Sequence, residues 1–450
     1  MRPYAARAFS WRCPEFEPGA ALRRLLDAAR ATQGFALETE DARYLAAGPM
    51  EVLRVSRGRA FRESGRRRLE LRGNPFEALG RRLSEFRLSG RAAPWMTGAF
   101  VLLSYEMARH LEKLPISAQD EEASAMIFPW ILRWQAGRAE LCSIEPLGKA
   151  ARSAALAERA LAESPLEPAA GRGAGLEPKP AGLGRSGFER GVRALKERIR
   201  AGDIFQGVLS DRFEAPCAAG PWRLFSALRR SSPASPYLFL YKDGERAFLG
   251  ASPERLVQVK DGLARNYPIA GTRPRGETPA LDKKFERQLL QSPKERAEHL
   301  MLVDLARNDL GRVCRPGSVK VTQLMRLRRF SHVMHLVSEV EGRLERGKSP
   351  WDALAASFPA GTVSGAPKVR AMELLAGLEP KPRGFYAGAF FQRDLTGNVD
   401  SCIAIRSLEL YKGRARLQAG AGIVADSRPA AEYQEVLNKL AGLRRALASA

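Results

Sequence analysis

Three ionisable side chains near the C-terminus are spaced so that they could work together. Glu432 and Glu435 stand three residues apart and Lys439 four further on, and on a helix this puts all three on one face. Two carboxylates one turn apart suit a hard cation such as Mg²⁺, which takes oxygen ligands. Just upstream, Gln418-Ala-Gly-Ala-Gly422 opens a short apolar run that turns at Arg428-Pro429. The small residues Gly420, Ala421 and Gly422 let main-chain amides approach an anion closely. The stretch would fit a carboxylate ligand bridged to a divalent ion. Taken alone, its simpler reading is a Gly-rich turn before a charged, solvated helix. A third carboxylate, Glu298, lies about one turn beyond Glu295 in an otherwise apolar helical segment. A salt bridge to a neighbouring arginine explains it as readily as a ligand role.

Composition bounds what can position these groups. A chain of 450 residues with 45% apolar content holds two or three domains' worth of core. No run reaches the roughly 18 uncharged apolar residues of a membrane span, and the N-terminal residues lack the apolar core of a secretory signal. Five scattered cysteines without CxxC spacing imply a reducing, cytoplasmic setting and argue against structural zinc or a disulfide framework. Four histidines are too few for His-rich metal chemistry. The net charge of +23 admits nucleic acid, an anionic surface or small acidic substrates. Arginines crowd Arg54 to Arg91, but no aromatic RNP-like signature or Cys/His finger goes with them, so a solvated basic surface is expected there.

Along the chain, Phe35–Thr39 and Phe100–Tyr105 read as strands, and Asn74–Phe86 as a helix capped by Asn74 with Pro75 first. Residues 163–186 turn rich in Pro, Gly and Ala, a linker or surface loop separating an N-terminal region (1–162) from a second region (187–450). Ser186 and Glu189 have capping-box spacing, and Phe188, Val192, Leu195 and Ile199 recur at helical intervals until Gly202-Asp203. Strands are expected at Ile204–Phe213, Tyr237–Tyr241, Ala247–Leu249 and Leu256–Val259. A helix pair over Asp282–Leu310 breaks at Ser292-Pro293, where Ser292 caps and Glu295 would complete a capping box.

Long strings in the second region carry a family resemblance. They include AGDIFQGVLSDRF (201–213), ASPYLF (234–239), GASPERLV (250–257), PIAGTRPRG (268–276) and KERAEHLMLVDLARNDLGRV (294–313). SHVMHLVSEVEG (331–342), FPAGTVSGAPKVRAMELL (358–375), RGFYAGAF (383–390) and GNVDSCIAIRS (397–407) follow in order. With them the chain resembles the chorismate-utilising enzymes, most of all the anthranilate synthase component I family. Residues 1–162 resemble it weakly, chiefly at ALET (36–39) and SYEMAR (104–109). The resemblance implies a mixed α/β (α+β) sandwich of two large antiparallel sheets flanked by helices, built jointly from both regions. The 187–450 region would be the chorismate-binding catalytic domain.

The implied chemistry adds ammonia at C2 of chorismate, expels hydroxide from C4 and then eliminates pyruvate to leave anthranilate. Hydroxide is a poor leaving group, so a general acid must protonate it. The resemblance gives that role to Glu254, whose pKa an apolar site would have to raise. It assigns Mg²⁺ to Glu298 and Glu435 with Glu432 close behind, and the ring carboxylate to Gly420, Ala421, Gly422 and Lys439. Tyr386 and Arg406 would hold the pyruvyl carboxylate, Gly271 and Thr272 would line the ring, and Thr362 would hydrogen-bond the departing hydroxyl. His335 resembles the histidine used in aromatisation; without the resemblance a buried structural histidine is the plainer reading, and His299 and His332 keep it.

Two positions separate branches of the family. Members that add water carry a lysine where Gln206 stands, and many aminodeoxychorismate synthases carry one where Ala270 stands. Neither side chain here can act as base or nucleophile, which favours direct ammonia addition. The chain length and Leu111–Pro115 resemble the aminodeoxychorismate branch, which stays the alternative. A separate glutamine amidotransferase subunit is expected to supply ammonia, because the chain shows no Cys/His/Glu set of its own. A family-type tryptophan pocket would use Thr39, Pro236 and Tyr237, although Thr39 replaces a serine and Ala234 lies outside the usual Asn-Pro-Ser context.

Overall fold

Strand Gly98–Leu103 shows how the fold is assembled. All six residues are buried. Successive side chains leave opposite faces of a strand, so Phe100 and Leu102 join one core while Ala99, Val101 and Leu103 join another. Strand Ala389–Asp394 beside it divides the same way, with Phe390 in the first core and Phe391 in the second. A fold with strands buried on both faces needs a layer on each side of the sheet.

The computed structural model describes residues 5–86, 98–145, 150–164, 177–233, 235–329 and 333–450. Among them lie two twelve-stranded sheets. The first runs Ala5–Arg12, Arg138–Glu145, Trp130–Gln135, Arg43–Ala47, Gln33–Thr39, Tyr237–Asp243, Arg246–Ser252, Ser407–Tyr411, Arg414–Ile423, Gln206–Pro216 and Lys179–Pro180, with Gly365–Ala366 off the path. The second begins Ile269–Pro274, Val333–Arg343, Leu263–Asn266, Arg255–Lys260, Val399–Ile403, Ala389–Asp394 and Gly98–Leu103. It ends Ala123–Ile127, Glu51–Ser56, Arg59–Ser64 and Arg67–Leu71, with Lys320–Arg329 paired to Val333–Arg343. The expected antiparallel sandwich is present. Chain-distant segments complete each sheet: Gln33–Thr39 pairs with Tyr237–Asp243, and Gly98–Leu103 with Ala389–Asp394.

Aromatic rings lock the sheets together. Phe239 of the first sheet stacks on Phe390 of the second with centroids 4.4 Å apart, a contact worth about 0.5–1.5 kcal/mol beyond its area burial. Arg54 of the second sheet makes a two-pronged contact with Asp243 of the first, at 2.6 and 2.8 Å. Arg54 thereby departs from the expected solvated arginine surface, whereas Arg57, Arg59, Arg66, Arg67, Arg68, Arg72 and Arg81 are exposed as expected. Arg54 also pairs with Glu63, and Arg82, itself buried, pairs with Glu51 at 2.6 Å. Several of these arginines are internal ion-pair partners rather than a free basic face.

The Asn74 cap is found as expected, its side chain accepting from Phe76 N and Glu77 N ahead of Pro75–Ser84. The break at Ser292 is also found, between Pro279–Gln291 and Pro293–Gly311. Two caps differ. Ser292 accepts from Glu295 N at 3.3 Å, but the Glu295 carboxylate turns to Arg273 at 3.0 Å instead of closing a capping box. The helix expected from Ser186 begins at Gly184, because Asp211 Oδ1 takes Leu183 N at 2.6 Å and sets the entry from a distant strand. Much of the presumed linker (residues 165–176), Ala234 and His332 lie outside the described residues. No described helix is long and apolar enough to cross a membrane.

Candidate active site

Strand Arg414–Ile423 runs antiparallel to Gln206–Pro216, with Gly420 opposite Ser210 and Gly422 opposite Val208. The helix Pro429–Ser449 then folds back along it. Lys439 fixes this return, donating from Nζ to Gly420 O at 2.8 Å while pairing with Glu435 Oε1 at 2.7 Å. A residue's N–H and C=O leave a strand on the same edge. Gly420 and Gly422 therefore turn their amides toward the helix, and Ala421 turns its amide into the ladder.

A cavity of about 700 Å³ opens beside this strand and helix. Into its wall come Glu254, Gly271, Glu298, His335, Thr362, Tyr386, Arg406, Gly420, Gly422, Glu432, Glu435 and Lys439, twelve of the expected site residues. Ala421 departs from expectation. Its methyl is fully buried in the first core, because adjacent strand residues face opposite ways. Thr272 is placed only by its backbone, which pairs in register with His335. Gln206 and Ala270, the two positions that separate the branches, both line the cavity.

Glycine is required at two of these positions. A Cβ on Gly420 would come within 2.7 Å of Leu209 O and 3.0 Å of the Tyr386 hydroxyl. Gly271 has φ +68 and a Leu289 methyl 2.7 Å from where a Cβ would sit. This glycine lets its carbonyl meet His335 Nδ1 at 2.9 Å. A carbonyl can only accept, so Nδ1 carries the proton and Nε2 is the basic nitrogen of the neutral ring. Burial lowers the His335 pKa, opposed by the Gly271 carbonyl and helped by Arg406.

Glu254 is the perturbed acid of the site. Burial lifts its carboxyl to about 7, against the opposing pull of the Thr362 hydroxyl, Lys439 and Arg406. Thr362 Oγ1 faces that carboxyl closely enough to influence it, yet makes no hydrogen bond of ordinary geometry to any described residue. It is a buried polar atom aimed at the acid, available to a substrate oxygen. Arg406 sits at φ +50 and is reached by solvent through the cavity, with Tyr386, Glu435 and Glu254 as its charged or polar neighbours. Burial raises the Tyr386 phenol to about 12, so it remains a donor.

Glu298 comes from the Pro293–Gly311 helix, and Glu432 and Glu435 from the C-terminal helix, onto one cavity. No described group of three or more acidic, His or Cys side chains closes into a ready cage. Hard oxygen donors from two helices fit Mg²⁺, which keeps several waters and is commonly held by one or two carboxylates plus substrate oxygens.

A second, smaller cavity of about 120 Å³ gathers Thr39, Pro236 and Tyr237 with Asp41, Arg255 and Asp400. Pro236 borders both cavities. His299 is fully buried and bonded to Ser338 Oγ at 2.6 Å, in keeping with its structural reading. Residues in the wall or behind it that the sequence reading gave no role include Gln418, Glu379 and Arg383. The available signals were that Arg383 shares a quoted string with Tyr386 and that Gln418 opens the Gly-rich run.

The family model described as chorismate binding enzyme matches residues 39–445. The chain belongs to this family. As a chorismate-binding enzyme it is 44% identical over 402 residues to anthranilate synthase component 1 of Geobacillus stearothermophilus, covering 83% of this chain and 78% of that relative. Anthranilate synthase component I from Streptococcus pneumoniae has the same architecture, with TM-score 0.76 and 34% identity over 90% of this chain and 92% of the other. The menaquinone-specific isochorismate synthase of Escherichia coli gives TM-score 0.75 at 21% identity, covering 99% and 95% of the two chains. That likeness speaks to the fold shared by chorismate-binding enzymes.

Proposed function

We infer that this chain is an anthranilate synthase component I, a lyase that turns chorismate and ammonia into anthranilate and pyruvate in tryptophan biosynthesis. The observation that carries the reading is Glu254, a carboxyl lifted to about 7 in a cavity that also holds anion-binding groups. A protonated carboxylic acid near neutral pH is what expulsion of the C4 hydroxyl requires. Gln206 and Ala270 support amination over hydration or covalent capture, since neither offers a base or nucleophile to the cavity.

In this reading Arg406 and Tyr386 receive the pyruvyl carboxylate, Arg406 through a planar fork. The Gly420 and Gly422 amides, with Lys439 nearby, receive the ring carboxylate. Gly271 and Thr272 flank the ring. Thr362 holds the C4 hydroxyl against Glu254, which protonates it as ammonia adds at C2. His335 Nε2 then takes the C2 proton as pyruvate leaves and the ring becomes aromatic. Glu298 and Glu435, with Glu432 behind them, hold Mg²⁺, which when bound draws electron density toward the ring carboxylate. A separate component II amidotransferase delivers ammonia from glutamine, and the pair works in the cytoplasm. Residues 187–450 carry the chemistry, and residues 1–162 complete the scaffold.

Product analysis with chorismate, Mg²⁺ and ammonium tests the reading and should give anthranilate and pyruvate. Stable 4-amino-4-deoxychorismate would move the chain to the folate branch, and isochorismate formed from water alone would overturn both.

A further inference from the structure

One buried ion pair braces the catalytic wall from behind. Arg383, only 4% exposed, donates from Nε and Nη2 to the two oxygens of Glu379, both at 2.7 Å. Its remaining donors go to main chain. Nη1 reaches Val363 O at 2.6 Å and Nη2 reaches Val208 O at 2.7 Å. Val363 directly follows Thr362 in the Gly361–Val363 turn, and Val208 lies on the strand that begins at Gln206. Val208 N also donates to Ser364 O at 2.9 Å, so turn and strand are joined on both sides of the guanidinium.

Glu379 is braced in turn. It accepts from Ser210 N at 2.9 Å and Ser210 Oγ at 2.8 Å, and Ser210 Oγ accepts from Gln418 Nε2 at 2.8 Å. The Arg383 guanidinium lies 4.4 Å from the Tyr105 ring centroid and 5.9 Å from that of Tyr386. Its own amide donates to Glu106 Oε1 at 2.7 Å, anchoring it to the N-terminal region.

Stability alone does not explain this arrangement, since apolar side chains of similar volume commonly serve as well as a buried ion pair. What the guanidinium adds is a rigid set of donors that fixes two backbone carbonyls from different elements in one plane. We propose that Arg383, braced by Glu379, is a positioning residue for the leaving-group side of the cavity, holding the Thr362 turn against the Gln206 strand so that the Thr362 hydroxyl faces Glu254. Arg383 is absent from the cavity lining and acts through the residues it holds, Thr362 foremost. The inference rests on Glu254 being the acid of the proposed reaction.

Arg383→Lys keeps the charge and loses the fork. It should lower kcat on the order of 100-fold, the usual cost of a small misplacement of reacting groups. The KM for chorismate should change far less than kcat, because none of the groups that receive the two carboxylates is removed. The alkaline limb of kcat against pH should move to higher pH, because Glu254 loses the hydroxyl that pulls its pKa down. A merely destabilised enzyme would lose active fraction with the limb in place. Ser210→Ala, which buries no charge, serves if Arg383→Lys does not fold; it should show the same signature at about tenfold or less. An unmoved limb in a folded variant, or a loss that only tracks active fraction, overturns the proposal. Wild-type enzyme that makes no anthranilate, or a Glu254→Gln variant that still turns over, overturns the functional reading instead, so the two failures are distinguishable.

Discussion

Lys439 Nζ lies 2.7 Å from Glu435 Oε1 and at the same time donates to the Gly420 carbonyl. One ammonium thus joins the helix that offers carboxylates to the strand that offers amides. Without a partner cation, Glu435 and Glu432 on one helix face would repel each other.

Glu435→Ala should therefore raise the Mg²⁺ concentration needed for half-maximal activity by on the order of 10- to 100-fold, the usual cost of losing a metal-site partner. A kinetic Mg²⁺ titration reads this directly. Chelation by EDTA should abolish turnover and excess Mg²⁺ should restore it; turnover that survives chelation would count against the metal reading.

Glu254 sets the high-pH side of the activity profile. Its carboxyl titrates at about 7, so the acid form dominates below that value and is lost as pH rises through it. The rate of hydroxyl expulsion should fall on the alkaline side. Glu254→Gln should remove on the order of 10²- to 10⁴-fold in kcat, the range for general acid catalysis, and should flatten that limb. A profile with the same limb in the variant would assign it to another group.

His335 should govern the second half of the reaction. Burial lowers its pKa, so the acidic limb of the profile should lie below the usual imidazole value. His335→Gln should let amination outrun pyruvate loss, so that an aminated, non-aromatic intermediate accumulates. Chromatography of quenched reactions would show it, and unchanged anthranilate yield would place the proton transfer elsewhere.

Gly420→Ala tests the close approach of strand and phenol. Its new methyl would press on the Leu209 carbonyl and the Tyr386 hydroxyl. Overpacking of this kind costs about 1–3 kcal/mol, readable as a lower Tm. The displaced Tyr386 should also raise the KM for chorismate, and an unchanged KM would exclude Tyr386 from substrate binding.

The smaller cavity at Thr39, Pro236 and Tyr237 should bind free tryptophan, with Asp41 among its lining carboxylates facing the ligand's amino group. Activity should fall on tryptophan titration, and Tyr237→Ala should relieve the inhibition. A flat titration would leave this cavity without that role.

What could be read in advance was local. Asn74, Ser292 and Pro293 carry their caps within a few residues, and the elements they bound are where spacing puts them. Glu254, Glu298, His335 and Glu435 could be named from strings that resemble the family, and they meet on one cavity. What stayed hidden depends on partners far along the chain. The helix near Ser186 starts early because Asp211 captures its entry, and Ala421 turns away from the cavity because strand alternation, not its neighbours' size, decides its direction. Arg383 gives no sign of its role in sequence, since the carbonyls it holds lie 20 and 175 residues away.

Both sheets are closed in their middles by strands about 200 and 290 residues apart in the chain, and both take further strands from beyond residue 395. Neither layer can therefore be finished while the polypeptide is still being synthesised. Until its last strands emerge, each half presents long open backbone edges that invite pairing with other chains. Such non-local pairing is intrinsically slow to form, and the chain's early life should accordingly lean on chaperones that shield those edges until residues near 400 have been made.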